Sequence, residues 1–237
     1  MTLQHVDVVF QVIVFLFAIS FHESAHAWMA NRCGDPTARL LGRISLNPIK
    51  HIDLFGTIIL PLLALVAHIP VLGWAKPTPV DPRNFRRPVR DDILTAVIGP
   101  ISNFVVAAAA LVILVSIALA SRMGAGFINT ILYTYPNHLD ILAAQTDSWL
   151  MPFSLLAYEL MVINIILGVF NLIPVPPLDG SHVLRHFLPA PLLKIYDTVG
   201  WMCLLALVYF GGGILWRLIT PVLGVFDSGL FAVIRSR

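Results

Sequence analysis

Charged side chains are scarce in this sequence of 237 residues, in which Asp, Glu, Lys and Arg together make up 12%. Soluble domains carry about 25% charged residues, so the composition excludes an ordinary soluble protein. Hydrophobic residues account for 58% of the chain, and the mean hydropathy is +0.85. The net charge of +2 gives no indication of nucleic-acid binding. We therefore expect a polytopic protein embedded in a lipid bilayer.

Cysteine is also scarce. Cys33 and Cys203 are the two cysteines of the chain and lie far apart, which excludes a disulfide framework and a cysteine-type zinc motif. We find no internal repeat and no low-complexity segment. The first apolar stretch lacks a basic leader and a small-residue cleavage site, so it is predicted to remain in the mature protein and not to act as a cleaved signal peptide.

Long apolar runs dominate the chain instead. Residues 93–121 contain no charge and exceed the roughly 20 residues that cross the hydrocarbon core. Further spans are predicted at residues 8–30, 149–173 and 198–218. The apolar tail, residues 222–234, is compatible with an interfacial segment or with a sixth crossing. The predicted fold class is an all-α polytopic membrane protein with about five to six membrane helices.

One apolar segment, residues 54–74, is flanked by basic residues on both sides and is interrupted by Pro61 and Pro70. Positive charge marks the cytoplasmic side of a membrane, so both flanks are predicted to lie there. The segment is therefore predicted to be a re-entrant hairpin that dips into the membrane and returns. A full crossing would leave the later spans running in the wrong direction for the site described below.

Polar and apolar residues roughly alternate over residues 39–46, "RLLGRISL". Period-two alternation is typical of a strand, so we expect a short β element at the membrane boundary near the active site. An extended substrate segment could pair with its edge.

The stretch "FHESAHAW", residues 21–28, puts three ionisable side chains inside the first predicted span. Such groups are expensive at that depth and indicate function. His22 and His26 are four residues apart and share a helix face, while Glu23 lies about 100° further round. This is the H-E-x-x-H pattern, in which the imidazoles bind zinc and the glutamate takes a proton from the water on the metal.

A catalytic zinc usually has a third protein ligand, and Asp179 is the best candidate. The prolines of residues 174–177 break the preceding helix, and Gly180 allows the chain to turn. Broken backbone at membrane depth is tolerated beside a water-filled cavity. The alternative is that Asp179 caps a helix beginning near Ser181.

Other polar residues receive ordinary interpretations. Helix packing is expected for Asn103 and interhelical hydrogen bonding for Asn164, and Glu159 is expected to face a cavity or to lie near the outer boundary. Surface or interfacial roles are expected for the remaining histidines, including the pair with ligand-like spacing: His5, His51, His68, His138, His182 and His186.

The motif at His22, Glu23 and His26, taken with "NLIPVPPLDG" at residues 171–180, resembles the two signature motifs of the site-2 proteases, which are intramembrane zinc metalloproteases. The likeness extends to "GWAKP" at residues 73–77, to "GPISN" at residues 99–103 and to Asn164, and covers roughly residues 15–188. It indicates the small bacterial branch without PDZ domains. The resemblance implies one zinc ion held by His22, His26 and Asp179, with Glu23 as general base. It also implies a catalytic Asn171 near the substrate carbonyl or backbone.

The implied function is hydrolysis of a peptide bond in or near the transmembrane segment of a membrane protein substrate. One integral-membrane domain, residues 1–237, is expected to carry it in the bacterial cytoplasmic membrane, with the site toward the cytoplasm. A metal transporter is the alternative, because intramembrane His and Asp also mark ion pathways. A scaffold with a purely structural zinc is a third possibility. The sequence carries no signal for an oligomeric state.

Overall fold

The computed structural model describes residues 3–59, 63, 74–134 and 148–236, and within them the chain is helical and contains no β-strand. Short 3₁₀ turns lie at Pro48–Lys50 and Pro82–Asn84, and a π-helical turn lies at Leu54–Ile59. The α-helices, in chain order, are α1 Leu3–Cys33, α2 Thr37–Leu40, α3 Pro88–Ala120, α4 Arg122–Thr134, α5 Leu150–Asn171, α6 Asp179–Arg185, α7 Ala190–Phe210 and α8 Gly212–Arg235.

Five helices in the described part of the chain are long and apolar enough to cross a membrane. They are Phe10–Cys33 within α1, together with α3, α5, α7 and α8. The predicted class of an all-α polytopic membrane protein is thereby confirmed. The chain is a multi-pass membrane protein.

The predicted last span, residues 198–218, is wrong in its bounds. Helix α7 ends at Phe210, and α8 begins at Gly212. Gly211 lies between them, and its backbone N–H donates to the Leu207 carbonyl at 2.8 Å. Three consecutive glycines, residues 211–213, weaken a helix because each costs about 1 kcal/mol relative to alanine. The tail, residues 222–234, belongs to α8, which is one of the five candidate spans.

The β element predicted at residues 39–46 is not found among the described residues. Thr37 instead begins a short helical turn, and its backbone N–H donates to Asp35 Oδ1 at 3.1 Å. Gly42 then adopts φ +68°, a left-handed conformation that bends the chain. The Arg43 N–H donates back to the Ala38 carbonyl at 2.9 Å. This turn prevents the extension that the alternation predicted.

The predicted re-entrant hairpin, residues 54–74, lies largely outside the described residues. Its described ends meet. The Trp74 N–H donates to the Gly56 carbonyl at 3.2 Å, and the Thr57 hydroxyl donates to the Trp74 carbonyl at 2.8 Å. The two described ends of this segment therefore lie next to each other.

Contacts divide the chain into two compact units, the first being Met1–Ala18, Phe104–Ile166 and Ile219–Arg237. Apolar side chains fill its interior, among them Ala107, Ala110, Leu114, Ile128, Ile131, Met161 and Ile165. Tyr158 on α5 donates its hydroxyl proton to Asp227 Oδ1 on α8 at 3.2 Å. Glu159 and Asn164 are fully buried here, and the Asn164 amide donates to the Leu160 carbonyl of its own helix at 2.8 Å.

The second unit comprises Ile19–Asn103 and Leu167–Leu218. A small core packs where α1 ends, around Ala30, Cys33 and Phe85. The fully buried Asp35 follows α1 and accepts the Asp81 N–H at 2.8 Å and the Asn84 side-chain amide at 2.9 Å. This unit contains every residue of the predicted zinc site.

Candidate metal centre

Three predicted ligands converge in the second unit. His22 and His26 project from the same face of α1, and Asp179 is the first residue of α6. His22 Nε2 lies 3.0 Å from Asp179 Oδ2, His26 Nε2 lies 3.4 Å from Asp179 Oδ1, and the two Nε2 atoms are 2.9 Å apart. Both imidazoles are buried and the carboxylate is partly buried. The sequence spacing therefore identified a true spatial cluster.

The other nitrogen of each imidazole faces an oxygen atom. His26 Nδ1 lies 2.6 Å from the main-chain carbonyl of Thr95, which can only accept a hydrogen bond. His22 Nδ1 lies 2.7 Å from Asn103 Oδ1. Both Nδ1 atoms therefore donate, and in the neutral imidazoles the Nε2 atoms carry lone pairs. These lone pairs face one another and the carboxylate.

A cation fits this arrangement. Lone pairs and carboxylate oxygens repel one another in a buried site, and Asp179 Oδ2 has no hydrogen-bond partner in the described structure. A tetrahedral zinc with ligands at about 2.1 Å holds its ligand atoms about 3.4 Å apart, close to the separations here. Two imidazoles and a carboxylate are also a ligand set that catalytic zinc uses. The three residues can thus hold one metal ion.

Helix α3 approaches the two histidines through a row of residues spaced by four. Thr95, Gly99 and Asn103 share one face, because four residues make just over one helical turn. A Cβ on Gly99 would lie 2.3 Å from His26 Nε2 and 2.7 Å from His22 Cε1. Glycine at this position lets α3 approach closely enough for its neighbours in the row to hold both Nδ1 atoms.

The proline-rich break after α5 delivers Asp179. Helix α5 ends at Asn171, and α6 starts at Asp179 with Leu178 as its N-cap. A Cβ on Gly180 would lie 2.3 Å from the Leu172 carbonyl oxygen, so only glycine fits against the end of α5. The side chain of Asp179 faces the histidines, and Leu178 is the N-cap of α6, so the alternative role of Asp179 as a helix cap is wrong.

Glu23, the predicted general base, is held by a threonine far along the chain. Its Oε2 accepts the Thr78 backbone N–H at 2.8 Å and the Thr78 hydroxyl at 2.7 Å. The Thr78 hydroxyl also lies 3.0 Å from the Glu23 main-chain carbonyl. The carboxylate therefore has a fixed orientation beside the histidines.

A second His/Asp cluster supports α6. Asp92 belongs to α3. Its Oδ2 lies 2.7 Å from His186 Nε2, and its Oδ1 lies 3.4 Å from His182 Nδ1. Surface or interfacial roles are expected for both histidines, and their side chains are 42% and 21% exposed while contacting a mostly buried carboxylate. Asp92 ties α6, the helix that begins with Asp179, to α3.

Asn171, predicted to be catalytic, donates its side-chain amide to the Leu167 carbonyl of its own helix at 3.0 Å. Its catalytic role stays a prediction. Asn103, expected only to pack, is the residue that the sequence interpretation undervalued. The spacing of Asn103 from Gly99 could have revealed it, whereas the Thr95 carbonyl belongs to the main chain and has no sequence signal.

Sequence comparison places the chain among known proteins. The sequence model described as Peptidase family M50 matches residues 10–209, which include all three converging ligands. A Bacillus subtilis (strain 168) protein named "Putative zinc metalloprotease YwhC" is 33% identical over 213 residues, covering 88% of this chain and 84% of that protein. No solved structure matches the chain.

Proposed function

This chain belongs to peptidase family M50, the site-2 protease family, and from that membership we propose that it is an intramembrane zinc metalloendopeptidase. The proposed reaction is hydrolysis of a peptide bond in or near the transmembrane segment of a membrane protein substrate. The observation that carries the proposal is the meeting of two Nε2 lone pairs and a carboxylate beside a fixed glutamate.

His22, His26 and Asp179 would hold one zinc ion. When bound, the ion supplies a Lewis acid that polarises the scissile carbonyl and makes a water molecule more acidic. Asn103 and the Thr95 carbonyl keep the imidazoles in the tautomer that binds metal. Three protein ligands leave a position open for substrate and water, as catalysis requires.

Glu23 is proposed to accept a proton from the attacking water and to pass it to the departing amine as the C–N bond breaks. Its place one residue after His22 supports this role, because the two side chains project from adjacent faces of α1. Asn171 is proposed to hold the substrate carbonyl or backbone. It is the last residue of α5, directly before the turn that leads to Asp179.

The proposed site lies at membrane depth. His22 is 11 residues before the end of α1 at Cys33, which corresponds to about 16 Å along the helix. Exposed basic residues follow α1, including Arg39 and Lys50, and support a cytoplasmic location for that end. We propose the cytoplasmic membrane of a bacterium, with the site toward the cytoplasm.

The re-entrant hairpin is proposed on the same basis. A full crossing of 54–74 would separate its ends by about 30 Å, whereas Gly56 and Trp74 are hydrogen-bonded. The hairpin keeps the basic residues before and after it on one side of the membrane.

The decisive experiment is cleavage of a panel of single-span membrane proteins in proteoliposomes. We expect cleavage by the wild type, loss after chelation, recovery with added Zn²⁺, and loss in Glu23→Gln. Asp197→Asn, which changes an exposed carboxylate paired with Arg185, is the control and should keep full activity. Metal flux that survives Glu23→Gln, without any cleavage, would favour the transporter instead.

A further inference from the structure

The segment 74–81, between the proposed hairpin and α3, is fastened along its length. The Lys76 N–H donates to the His51 carbonyl at 2.8 Å. The buried Arg43 guanidinium donates to the Pro77 carbonyl at 3.4 Å and also to the Lys50 carbonyl. At the far end the Asp81 N–H donates to Asp35 at 2.8 Å. Thr78 is therefore carried by a braced segment and not by a free loop.

The position of Thr78 is further fixed by its neighbours. Pro77 and Pro79 flank it, and proline locks its own φ and restricts the residue before it to extended conformations. Threonine is also β-branched, so its χ1 angle has few choices. The N–H and the hydroxyl are thus aimed at Glu23 before any substrate arrives.

The Thr78 N–H and hydroxyl both donate to one carboxylate oxygen, Glu23 Oε2, and the hydroxyl also lies 3.0 Å from the Glu23 main-chain carbonyl. We propose that Thr78 is a positioning residue for the reaction. It occupies Oε2 and turns Oε1, which takes neither bond, toward the water that must be deprotonated. This inference rests on the proposed function, because it assigns a role to Thr78 only if Glu23 is the base.

The side-chain hydroxyl is the part of Thr78 that can be removed alone. Thr78→Val keeps the shape and the backbone N–H but deletes the hydroxyl, while Thr78→Ser restores it. A hydrogen bond to a charged group is strong enough for its loss to change a rate about tenfold or more. Thr198→Val is the matched control, since among the described residues the Thr198 hydroxyl bonds only the Lys194 carbonyl, on the exposed face of α7.

The test uses the full-length protein in detergent with fluorescein-labelled casein as an unstructured probe substrate. We expect kcat of Thr78→Val to fall about tenfold with KM and bound zinc unchanged, and Thr78→Ser and Thr198→Val to match the wild type. The proposal would be overturned if Thr78→Val kept the kcat of the wild type, or if Thr78→Ser lost as much kcat as Thr78→Val. If Glu23→Gln also cleaved like wild type, the proposed function itself would fail.

A second measurement is independent of activity. Thermal unfolding of the wild type, Thr78→Val, Glu23→Ala and the double variant forms a double-mutant cycle. We expect the two shifts to be non-additive, with the double variant no less stable than the worse single variant. Additive shifts would mean that the two side chains do not interact, and would overturn the proposal even if activity fell.

Discussion

Gly99 lies against His26 so closely that a Cβ on residue 99 would come within 2.3 Å of Nε2. The atom that would be struck is the one proposed to bind the metal, and the second imidazole is only slightly further away. Helix α3 thus contacts the proposed metal ligands through the backbone of a residue that has no side chain, and this contact leads to the first prediction.

Gly99→Ala should abolish metal binding, because either an imidazole or α3 must shift, and both shifts break the ligand geometry. We expect the purified variant to contain less than a tenth of the wild-type zinc when measured by atomic emission. Gly224→Ala is the control, since a Cβ there meets nothing within 4 Å. Full zinc occupancy in Gly99→Ala would show that the contact is less tight than described.

The two asparagines that flank the site should behave differently. Asn103→Ala removes the partner of His22 Nδ1, and we expect zinc affinity to fall about 10- to 100-fold. Asn171→Ala removes an amide that bonds its own helix, so zinc affinity should stay unchanged while casein cleavage falls. Chelator competition measures both affinities. An unchanged affinity in Asn103→Ala would remove Asn103 from the metal centre.

Asp92→Ala should destabilise α6, because it leaves His182 and His186 without their shared acceptor. We expect the free energy of unfolding to fall by about 1–3 kcal/mol, together with weaker zinc binding through Asp179. Asp197→Ala, which breaks an exposed pair with Arg185, should cost less than about 1 kcal/mol. Chemical unfolding in detergent compares the two, and equal losses would contradict the bracing role of Asp92.

Acid should remove a stabilising contribution from Asp35. Burial raises the pKa of Asp35, but the hydrogen bonds donated by Thr37, Asp81 and Asn84 outweigh it and lower the pKa below its usual value. A lowered folded-state pKa stabilises the protein above the unfolded-state pKa of about 4, and this stabilisation disappears as the pH falls through the folded-state value. Asp35→Asn should therefore be less stable than wild type at pH 7. The difference in stability between the two proteins should become smaller below about pH 4. Unfolding midpoints across pH 3–7 measure this, and a constant gap would refute it.

The sequence predicted the features that depend on spacing and hydropathy. The apolar runs identified the spans, the four-residue spacing paired His22 with His26, and the prolines before Asp179 indicated the break that lets its carboxylate reach them. Each of these features depends on residues that are close together in the sequence. Such features are retained in the folded protein when no tertiary contact favours a different conformation.

The features that sequence could not supply depend on tertiary partners. The Thr95 carbonyl is a backbone atom of no distinctive residue type, and the reach of Thr78 to Glu23 spans two distant segments. The strand expected at residues 39–46 failed because Gly42 and the hydrogen bonds around Asp35 favour a compact turn. The three glycines at residues 211–213 did indicate the break between α7 and α8. The apolar residues on both sides of them, however, read as one continuous span.

The centre joins a helix near the start of the chain to a carboxylate about 160 residues later, and a ribosome adds about 5–20 residues per second. His22 and His26 therefore leave the ribosome roughly ten seconds or more before Asp179 exists. During this interval the two histidines lack the third predicted ligand. If the three residues bind zinc as proposed, the complete ligand set forms late in biogenesis, and the proposed activity begins only after α6 has docked.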